Sequence, residues 1–332
     1  MNDRIPVTPP VIAPVDPRIT RPQWSVMIPA YNCSEYLVET IRSVLVQDPG
    51  PDKMQIEVVD DHSTDTDIEA LVRAVGKGRV SLFTQEKNVG SLRNFETCLN
   101  RSTGKWIHML HGDDLVKAGF YQEIEELFTK YPEAGAAFTG YSDIDANGKF
   151  LYNNKAVLHA PGIIDNWLLI ISRAQRVQPP SIVVKREVYE QLGGFFGVNY
   201  GEDWEMWARI AANFPVAHSP KHLALYRSHH NNITSRSFLT GQSITDINKV
   251  IDTIQQYLPE SERRSVKKYA KRHFSKYFAR MSDKIYHDHN HPEIAIEQAE
   301  RALKMDVNNT TIFFLLKMHI KKMIGYQHKN VK

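Results

Sequence analysis

KWIHMLHGDDLVKAGF (residues 105–120) contains the feature that decides the fold, an apolar segment that runs directly into two adjacent carboxylates. Residues 106–110 are predominantly apolar and predict a buried strand. Asp113 and Asp114 follow that strand, where two like charges repel each other and are poorly solvated. The pattern therefore predicts that a positive charge binds at this strand end.

Strand and helix patterns alternate four times in the first half of the chain. Short apolar runs at 24–31, 54–61, 79–85 and 106–110 are each followed by a segment with apolar residues at helical spacing. A further strand is predicted at 135–145. This alternation predicts an α/β fold with a mostly parallel central sheet flanked by helices, in which ligands bind at the carboxyl ends of the strands. The four helical segments are 34–47, 66–75, 91–102 and 118–131.

Acidic residues recur at the predicted strand ends. Asp60 and Asp61 end the second strand, and Asp113 and Asp114 follow the fourth, so both pairs are expected at one edge of the sheet. A pair of carboxylates is a hard oxygen site for Mg²⁺ or Mn²⁺, which would neutralise a diphosphate. Asp60 and Asp61 could accept hydrogen bonds from a base and a ribose. Asp203, at a helix start, could act as a general base that the helix N-terminus keeps ionised.

Each acidic group also has a structural explanation, which the residues alone leave open. Residues 61–65 could form a turn before an N-capped helix, and Asp113 with Asp114 could form a capping turn. Glu202 and Asp203 could simply complement the helix dipole.

Composition sets the expected compartment. Hydrophobic residues make up 42% and charged residues 24% of the chain, as in ordinary globular proteins. Cys33 and Cys98 cannot build a disulfide framework and fit a reducing compartment, where both would be packing residues. We recognise no signal peptide and no apolar run long enough to span a membrane. We therefore expect a cytoplasmic location, and leave open attachment to the inner face of the membrane.

Basic charge is concentrated at the C-terminal end. Residues 261–332 hold 16 Lys and Arg against 7 Asp and Glu, whereas the other 260 residues hold 25 against 31. KKYAKRHFSKYFARM (267–281) mixes basic and aromatic residues at roughly helical spacing, which suits a membrane surface. A helical subdomain with a solvated basic face is the alternative. We recognise no nucleic-acid-binding motif, so no nucleic-acid partner is expected.

An ordered set of five segments resembles the family 2 glycosyltransferases, which have a GT-A fold. The resemblance covers about residues 24–232 and implies a metal-dependent transfer of sugar from a nucleotide-diphosphate donor, best guessed as UDP, with inversion at the anomeric carbon. The segments are SVMIPAYN (25–32), EVVDDHSTD (57–65), NVGSLRN (88–94), TGKWIHMLHGDD (103–114) and GEDWEMW (201–207).

The resemblance also implies roles for individual residues. Asp203 is the base that takes the proton from the acceptor hydroxyl, and Asp113 with Asp114 matches the metal-binding DXD-type motif for Mn²⁺ or Mg²⁺. His229 resembles a late histidine that closes over the diphosphate, and it is also named as a candidate metal ligand. His111 stands where many relatives have an acid, so the inner ligand of the metal stays undecided. The implied nucleotide-binding residues are Pro29, Ala30, Tyr31, Asp60, Asp61, Asn88, Gly90, Arg93 and Asp113.

The acceptor side is predicted only coarsely. Glu202 and Trp204 flank the predicted base, and Trp167 is either a platform for a sugar or a core residue. The acceptor could be a glycan, a lipid-linked glycan or a protein. Contact of residues 261–332 with a membrane surface and assembly into a homo-oligomer are left open.

The expected organisation has three parts. A proline-rich, extended and mobile arm (1–23) precedes the GT-A domain (24–238), which is followed by a basic helical extension (239–332). Within the GT-A domain, residues 24–115 form the nucleotide-binding half and 116–238 the acceptor half. We predict a hexosyltransferase-type enzyme in glycan or polysaccharide biosynthesis. The alternatives are a nucleotidyltransferase and a protein that binds a nucleotide sugar without turnover.

Overall fold

The computed structural model describes residues 4–229, 237–289 and 291–326, with the side chains of 288 and 289 excluded. Ten strands join one sheet. They are β1 (Trp24–Ala30), β2 (Met54–Asp60), β3 (Ser81–Thr84), β4 (Trp106–Met109), β5 (Leu115–Val116), β6 (Ala136–Ile144), β7 (Phe150–Asn153), β8 (Gly162–Ile163), β9 (Ile182–Lys185) and β10 (Val216–Arg227).

Helices follow most of the early strands, as the alternating pattern predicts, and dominate the end of the chain. Short 3₁₀ turns lie at Pro179–Ser181 and Gln255–Tyr257. The α-helices are α1 (Ser34–Leu45), α2 (Ile68–Gly76), α3 (Ser91–Arg101), α4 (Phe120–Lys130), α5 (Trp167–Arg173), α6 (Arg186–Leu192), α7 (Glu202–Asn213), α8 (Gln242–Ile254), α9 (Glu260–His289), α10 (Pro292–Met305) and α11 (Asn309–Met323).

The first four long strands are parallel and lie in the order β3-β2-β1-β4. Every residue of β1 is buried, so this strand is the middle of a sheet covered on both faces. Ala30 is paired with Asp60 in the parallel register, which brings the carboxyl ends of β1 and β2 level. The predicted site edge is therefore formed by consecutive strands of the sheet.

The second half of the sheet is mixed. β9 lies antiparallel between β4 and β6, and β10 runs parallel to β6 and antiparallel to β5. The full order is β3-β2-β1-β4-β9-β6-β10-β5, with β7 and β8 at the sides of β6 and β10. The reversal at β9 follows a long excursion of the chain and a 3₁₀ turn at Pro179–Ser181, so it leaves no regular alternation in the sequence.

The described part of the N-terminal arm packs against the first unit, which the prediction of a mobile arm did not anticipate. Ile12 is 1% exposed. Backbone carbonyls of Pro6 and Pro10 accept hydrogen bonds from Gly197 and Gly194 at 2.9 and 2.8 Å. The buried guanidinium of Arg186 donates to the Ala13 carbonyl at 2.8 Å. Because the prolines fix an extended backbone, their carbonyls stay available to these distant donors.

Helix α1 begins without a side-chain cap. Cys33 occupies the N-cap position, and its side chain accepts no capping hydrogen bond. The amide of Ser34 instead donates to Asp65 Oδ2 at 3.0 Å. A carboxylate from the loop after β2 therefore satisfies a free amide at the helix start.

The chain divides into two compact units, each described separately below. The first unit contains strands β1 to β10, and the second contains helices α8 to α11. The first unit comprises the described residues within Met1–Trp167, Arg176–Gly197 and Arg209–Ser228, and the second those within Leu168–Gln175, Val198–Ala208 and His229–Lys332.

The second unit has its own core. Trp204 is fully buried, its ring lies 4.7 Å from that of Phe274, and its indole N–H donates to the Ile171 carbonyl at 2.7 Å. Helices α10 and α11 both pack against the long helix α9. Within the described residues, we find no helix with the length and apolarity needed to cross a lipid bilayer.

Candidate active site

The turn after β4 is seated against the end of β1. The Leu110 and Gly112 amides donate to the Met27 and Pro29 carbonyls at 3.0 and 3.1 Å. A Cβ atom on Gly112 would lie 2.8 Å from the Cys33 sulfur, so only glycine lets the turn approach this closely. The sequence Gly-Asp-Asp thus places both carboxylates at the carboxyl edge of the sheet.

Three potential metal ligands converge in this turn. Ligand atoms of His111, Asp113 and Asp114 all lie within 4.8 Å of one another. The His111 ring stacks on Phe95 at 5.2 Å, which fixes its orientation, and burial lowers its pKa. A neutral imidazole and two carboxylates form a donor set that suits a divalent cation.

Asp114 is the least solvated member of this group, with 1% of its surface exposed. Its Oδ1 accepts a hydrogen bond from the Arg227 amide at 2.8 Å, whereas its buried Oδ2 has no hydrogen-bond partner among the described residues. Burial, and then the charge of Asp113, raise the pKa of Asp114 well above its usual range. A buried oxygen without a donor beside a second carboxylate fits a bound cation, which would relieve both penalties.

Arg227, the last residue of β10, braces the turn. Its Nε donates to the Asp113 carbonyl at 2.8 Å, and its Nη1 to the Ala146 carbonyl at 3.0 Å. Its Nη2 pairs with Glu39 at 2.6 Å. The side chain of Arg227 is 1% exposed, so this guanidinium holds the backbone of the turn from inside the protein.

Both carboxylates at the end of β2 accept hydrogen bonds from other residues of the protein. Asp60 accepts from Ser63, through the amide at 3.1 Å and the hydroxyl at 2.5 Å. Asp61 accepts from the Val89 and Gly90 amides at 2.6 and 2.9 Å and from the Asn88 side chain at 2.8 Å. Burial raises the pKa of Asp61, while the two amides act in the opposite direction. Asp61 therefore ties the end of β2 to the start of α3.

Asn88 and Arg93, two of the predicted nucleotide-binding residues, line a cavity of about 590 Å³ beside α3. Gly90 is the N-cap of α3 and has a φ of 92°, which favours glycine. Arg93 forms an ion pair with Glu96 at 2.7 Å. Arg4, from the N-terminal arm, donates to the Asn88 side-chain oxygen and also lines this cavity.

The segment after β1 lies beside the same edge. Pro29 and Ala30 are buried at the end of the strand, and Tyr31 is 43% exposed. Asn32, with φ of 48°, accepts from the Thr64 amide at 2.7 Å. The loops after β1 and β2 are thus joined to each other. The structure brings together the predicted groups at the ends of β1, β2 and β4 in the first unit.

Asp203 belongs to the second unit. Its Oδ2 accepts from Gln175 Nε2 at 2.5 Å and its Oδ1 from the Trp204 amide at 2.7 Å. Burial raises the pKa of Asp203 to about 6 despite these hydrogen bonds. Burial, and then the charge of Asp203, raise the pKa of Glu202 well above its usual range. The helix N-terminus therefore does not dominate at Asp203, contrary to expectation, although a pKa near 6 suits a general base.

Two residues named for the acceptor side, Trp204 and Trp167, lie in the core. Trp204 is fully buried in the second unit, and its indole N–H donates a hydrogen bond to the Ile171 carbonyl. Trp167 is 5% exposed and stacks on Phe138 at 5.4 Å, so of its two predicted roles the structure favours core packing. Glu202 is 9% exposed. His229 is half-buried at the end of the first described stretch, and its metal contact stays a prediction.

Sequence reasoning missed the residues that support the predicted ones. Arg227 stands only two positions before His229, but nothing local signals that its partner Asp114 lies 113 positions away. Gln175 and Arg4 likewise stand in segments without a recognisable motif. One local signal could have been used. Arg227 ends the apolar strand β10, and an arginine next to buried residues indicates that its charge has a partner inside the protein.

Comparison with known proteins agrees with this arrangement. Residues 25–193 match the family model described as glycosyl transferase family 2. An uncharacterized glycosyltransferase of Rickettsia felis is 27% identical over 61% of this chain, which spans about a third (32%) of that longer protein. The putative teichuronic acid biosynthesis glycosyltransferase TuaG of Bacillus subtilis is 27% identical over 51% of this chain and 70% of its own.

The fold has a counterpart among solved structures. Residues 1–349 of S. aureus TarS, in complex with UDP-GlcNAc, superpose with a TM-score of 0.66 at 15% identity, covering 91% of this chain and 92% of that one. This likeness supports the GT-A fold, and the family model covers the strands and turns that carry both acidic pairs. By fold and by sequence, the chain belongs to the family 2 glycosyltransferases.

Proposed function

We propose that this enzyme transfers a sugar from a UDP-sugar donor to a hydroxyl group of a cell-surface polysaccharide, with a divalent cation and with inversion. The observation that carries the proposal is the group formed by His111, Asp113 and Asp114, in which a buried oxygen of Asp114 has no donor among the described residues. Such an oxygen is costly unless a cation occupies the site. Membership in the family favours glycosyl transfer over nucleotidyl transfer.

Asp113 and Asp114 would hold the cation, with His111 as a neighbouring donor. When bound, Mn²⁺ or Mg²⁺ would neutralise the donor diphosphate and stabilise the charge that develops on the leaving group. Asp60 and the segment Pro29–Tyr31 would contact the nucleoside. Asp61 would act mainly by positioning Asn88 and Gly90, since its oxygens already accept three hydrogen bonds.

Asp203 would be the general base, a role that its own environment supports. Its pKa of about 6 leaves it largely ionised at pH 7 while keeping it basic enough to accept a proton. The acceptor hydroxyl gives its proton to Asp203 as its oxygen bonds to the anomeric carbon. The bond from that carbon to the diphosphate oxygen breaks, and its electron pair leaves with UDP.

Similar proteins support the choice of donor and acceptor. TarS is described in complex with UDP-GlcNAc, and TuaG is named for teichuronic acid biosynthesis. UDP-GlcNAc is therefore the first donor to test, and a bacterial cell-wall polysaccharide the first acceptor class.

The test is a UDP-release assay with a panel of nucleotide sugars and Mn²⁺, read without acceptor and then with cell-wall polysaccharide. We expect slow release from one UDP-sugar that stops with EDTA and in Asp114→Ala. The exposed residue Asp52 provides a matched control, since Asp52→Asn should release UDP at the native rate.

Calorimetric binding of UDP with Mn²⁺ separates the outcomes. Binding without turnover on any acceptor would support a binding protein and contradict the proposed transfer. Absence of both binding and release would show that the acidic edge of the sheet is not a nucleotide-sugar site.

A further inference from the structure

Helix α9 presents an unbroken row of six cations. Between residues 263 and 282 this helix has eight Lys and Arg and no Asp or Glu. One cation recurs at every fourth position, so that each lies one turn after the last on the helix surface. Five of the six are exposed and Lys276 is half-buried. The row, called here the cation row, comprises Arg264, Lys268, Arg272, Lys276, Arg280 and Lys284.

The cation row is not neutralised by the protein. Within the described part of the chain, none of the six forms an ion pair, whereas the neighbouring Lys267 pairs with Asp252 at 2.7 Å. Like charges four residues apart destabilise a helix. Five such consecutive pairs therefore lower the stability of α9, and an anionic partner would relieve that repulsion.

The middle of the cation row borders a cavity. Lys268, Arg272 and Lys276 line a space of about 480 Å³ together with Asn309 and Thr310 at the start of α11. The helix start adds its partial positive charge to that of three cations, and Asp306 is the acid among the lining residues. This space has the volume and the charge to hold a phosphate group together with part of a sugar or polyol.

Aromatic rings form a second row beside the first. Tyr269, His273 and Tyr277 are spaced four residues apart and follow Lys268, Arg272 and Lys276 by one position each. Tyr269 is 50% and Tyr277 36% exposed. Exposed aromatic faces alternating with cations suit a polymer in which phosphates alternate with the C–H surfaces of polyols or sugars.

The geometry of the cation row favours a flexible chain over a flat surface. Four residues of helix rise about 6 Å, and they turn about 40° beyond a full circle. The repeat is close to that of a glycerol phosphate unit, whose six backbone bonds span about 7 Å when extended. From Arg264 to Lys284 the row therefore winds about 200° around α9, so a bilayer would meet only a part of it.

The apolar side of α9 packs in the core of the second unit. Val266, Ala270, Phe274 and Phe278 are buried in the second unit. A helix that binds a membrane surface needs an exposed apolar face to insert, and α9 does not offer one.

We infer that the cation row and its cavity bind a linear, phosphate-containing glycopolymer, which would be the acceptor of the transferase. The identification as acceptor rests on the proposed function, whereas the binding itself does not. The polymer would lie along α9 with successive phosphates against successive cations.

The experiment measures binding of a fluorescein-labelled glycerol phosphate dodecamer to the full chain by anisotropy, from low to physiological salt. The test variant is Lys268→Gln/Arg272→Gln/Lys276→Gln. The control is Lys53→Gln/Lys130→Gln/Lys149→Gln, which removes the same charge from exposed positions of the first unit. We expect the test variant to bind about 30-fold more weakly, with a salt slope lower by about three, while the control binds like the native protein.

Equal weakening in both triple variants, or no binding by the native protein, would overturn the inference. Two further probes decide between classes of partner, namely an oligothymidylate of equal charge and vesicles of phosphatidylglycerol. Tighter binding of the oligothymidylate would indicate a nucleic acid instead. Binding to the vesicles alone would indicate lipid, a relevant alternative because α11 exposes Phe313, Leu316 and Ile320.

UDP release without acceptor keeps this test separate from that of the proposed function. We expect release to be unchanged in the test variant, because the cation row would bind acceptor and not donor. Loss of dodecamer binding with intact release would confine the damage to acceptor capture. Binding of the dodecamer by a protein that shows no turnover with any acceptor would leave the polymer site standing and reject the proposed transfer.

Discussion

Two acidic pairs at the same sheet edge are treated in opposite ways by the fold. Asp60 and Asp61, after β2, receive hydrogen bonds from Ser63, Val89, Gly90 and Asn88. Asp114, after β4, is equally buried but has one oxygen without a donor among the described residues. The oxygens of the first pair receive most of their hydrogen bonds from the protein. The unpartnered oxygen of the second pair needs a ligand such as a cation.

The two pairs look alike in sequence, but the difference in hydrogen bonding assigns one to stabilising the fold and the other to binding a cation. A carboxylate whose lone pairs are used by backbone amides stabilises a loop. A carboxylate that is buried and left short of donors lowers stability until a cation arrives. Loss of Asp61 should therefore unfold the protein more readily, whereas loss of Asp114 should mainly abolish activity.

Asp114→Asn tests the second half of this contrast and has the largest expected effect. We expect UDP release to fall about 1,000-fold or more, because the cation loses its buried ligand. The free energy of unfolding of the metal-free protein should change by about 1 kcal/mol or less, since a buried charge is removed as well. Turnover and urea denaturation measure the two quantities. A large loss of stability would place Asp114 among the structural carboxylates.

A third pair, Glu202 and Asp203, extends the contrast to proton transfer. Asp203→Asn should fold and bind UDP but lose sugar transfer about 1,000-fold. In the native enzyme kcat/KM should be highest above pH 6 and fall about tenfold per unit below it, because a base must be deprotonated and the pKa of Asp203 is about 6. Near-native transfer by the variant, or a flat profile between pH 5 and pH 7, would reject Asp203 as the base.

Arg227→Lys tests whether the metal turn needs its brace. Lysine keeps the charge but loses the planar set of donors to Asp113, Ala146 and Glu39. We expect the Mn²⁺ concentration for half-maximal activity to rise about 10- to 100-fold. Glu39→Gln is the control, since Glu39 is 56% exposed and its pair should contribute little. Equal effects in both variants would argue that the ion pair, and not the contacts to the turn, carries the role.

Asp61→Ala tests the satisfied pair. It leaves the Val89 and Gly90 amides and the Asn88 side chain without their acceptor. We expect the free energy of unfolding to fall by about 2–4 kcal/mol and the affinity for UDP to fall about tenfold. Guanidinium denaturation and calorimetry measure both. Unchanged stability with lost UDP binding would instead make Asp61 a direct nucleotide ligand.

Arg4→Ala has the smallest expected effect. It removes the donor to Asn88 from an exposed position of the arm, so UDP affinity should fall about threefold with kcat unchanged. Arg18→Ala is the matched control, because the hydrogen bonds and the ion pair of Arg18 among the described residues are made to Asp16, two positions away in the same arm. A fall in kcat for Arg4→Ala would mean that the arm touches the reacting groups.

The sequence predicts the parts of the fold whose signals are local. Apolar runs followed by helical spacing predicted β1 to β4 and a mostly parallel sheet, and the acids after β2 and β4 were predicted to lie at one edge of it. Helix α6 likewise ends at Gly193, and a glycine after a helical segment is a local signal for a helix end. In each case, the information lies within a few residues of the feature.

The remainder depends on contacts that no local pattern encodes. The antiparallel insertion of β9 follows an irregular stretch of the chain, and the partner of Asp114 is contributed by β10. Trp204 was assigned to the acceptor side because it adjoins Asp203, but a helix turns neighbouring side chains to different faces. The carboxylate that completes the start of α1 comes from Asp65, in another loop.

The docked N-terminal arm has a consequence for the order of folding. Arg186 and the Ala13 carbonyl, which are hydrogen-bonded in the native state, lie 173 residues apart in sequence. The Pro10 carbonyl likewise accepts its hydrogen bond from a distant residue, Gly194. During synthesis, the arm leaves the ribosome long before any of these partners exists, so it must remain undocked until α6 and the turn after it are made. The arm is made before the partners that it binds, so it is among the last parts of the first unit to reach its native position.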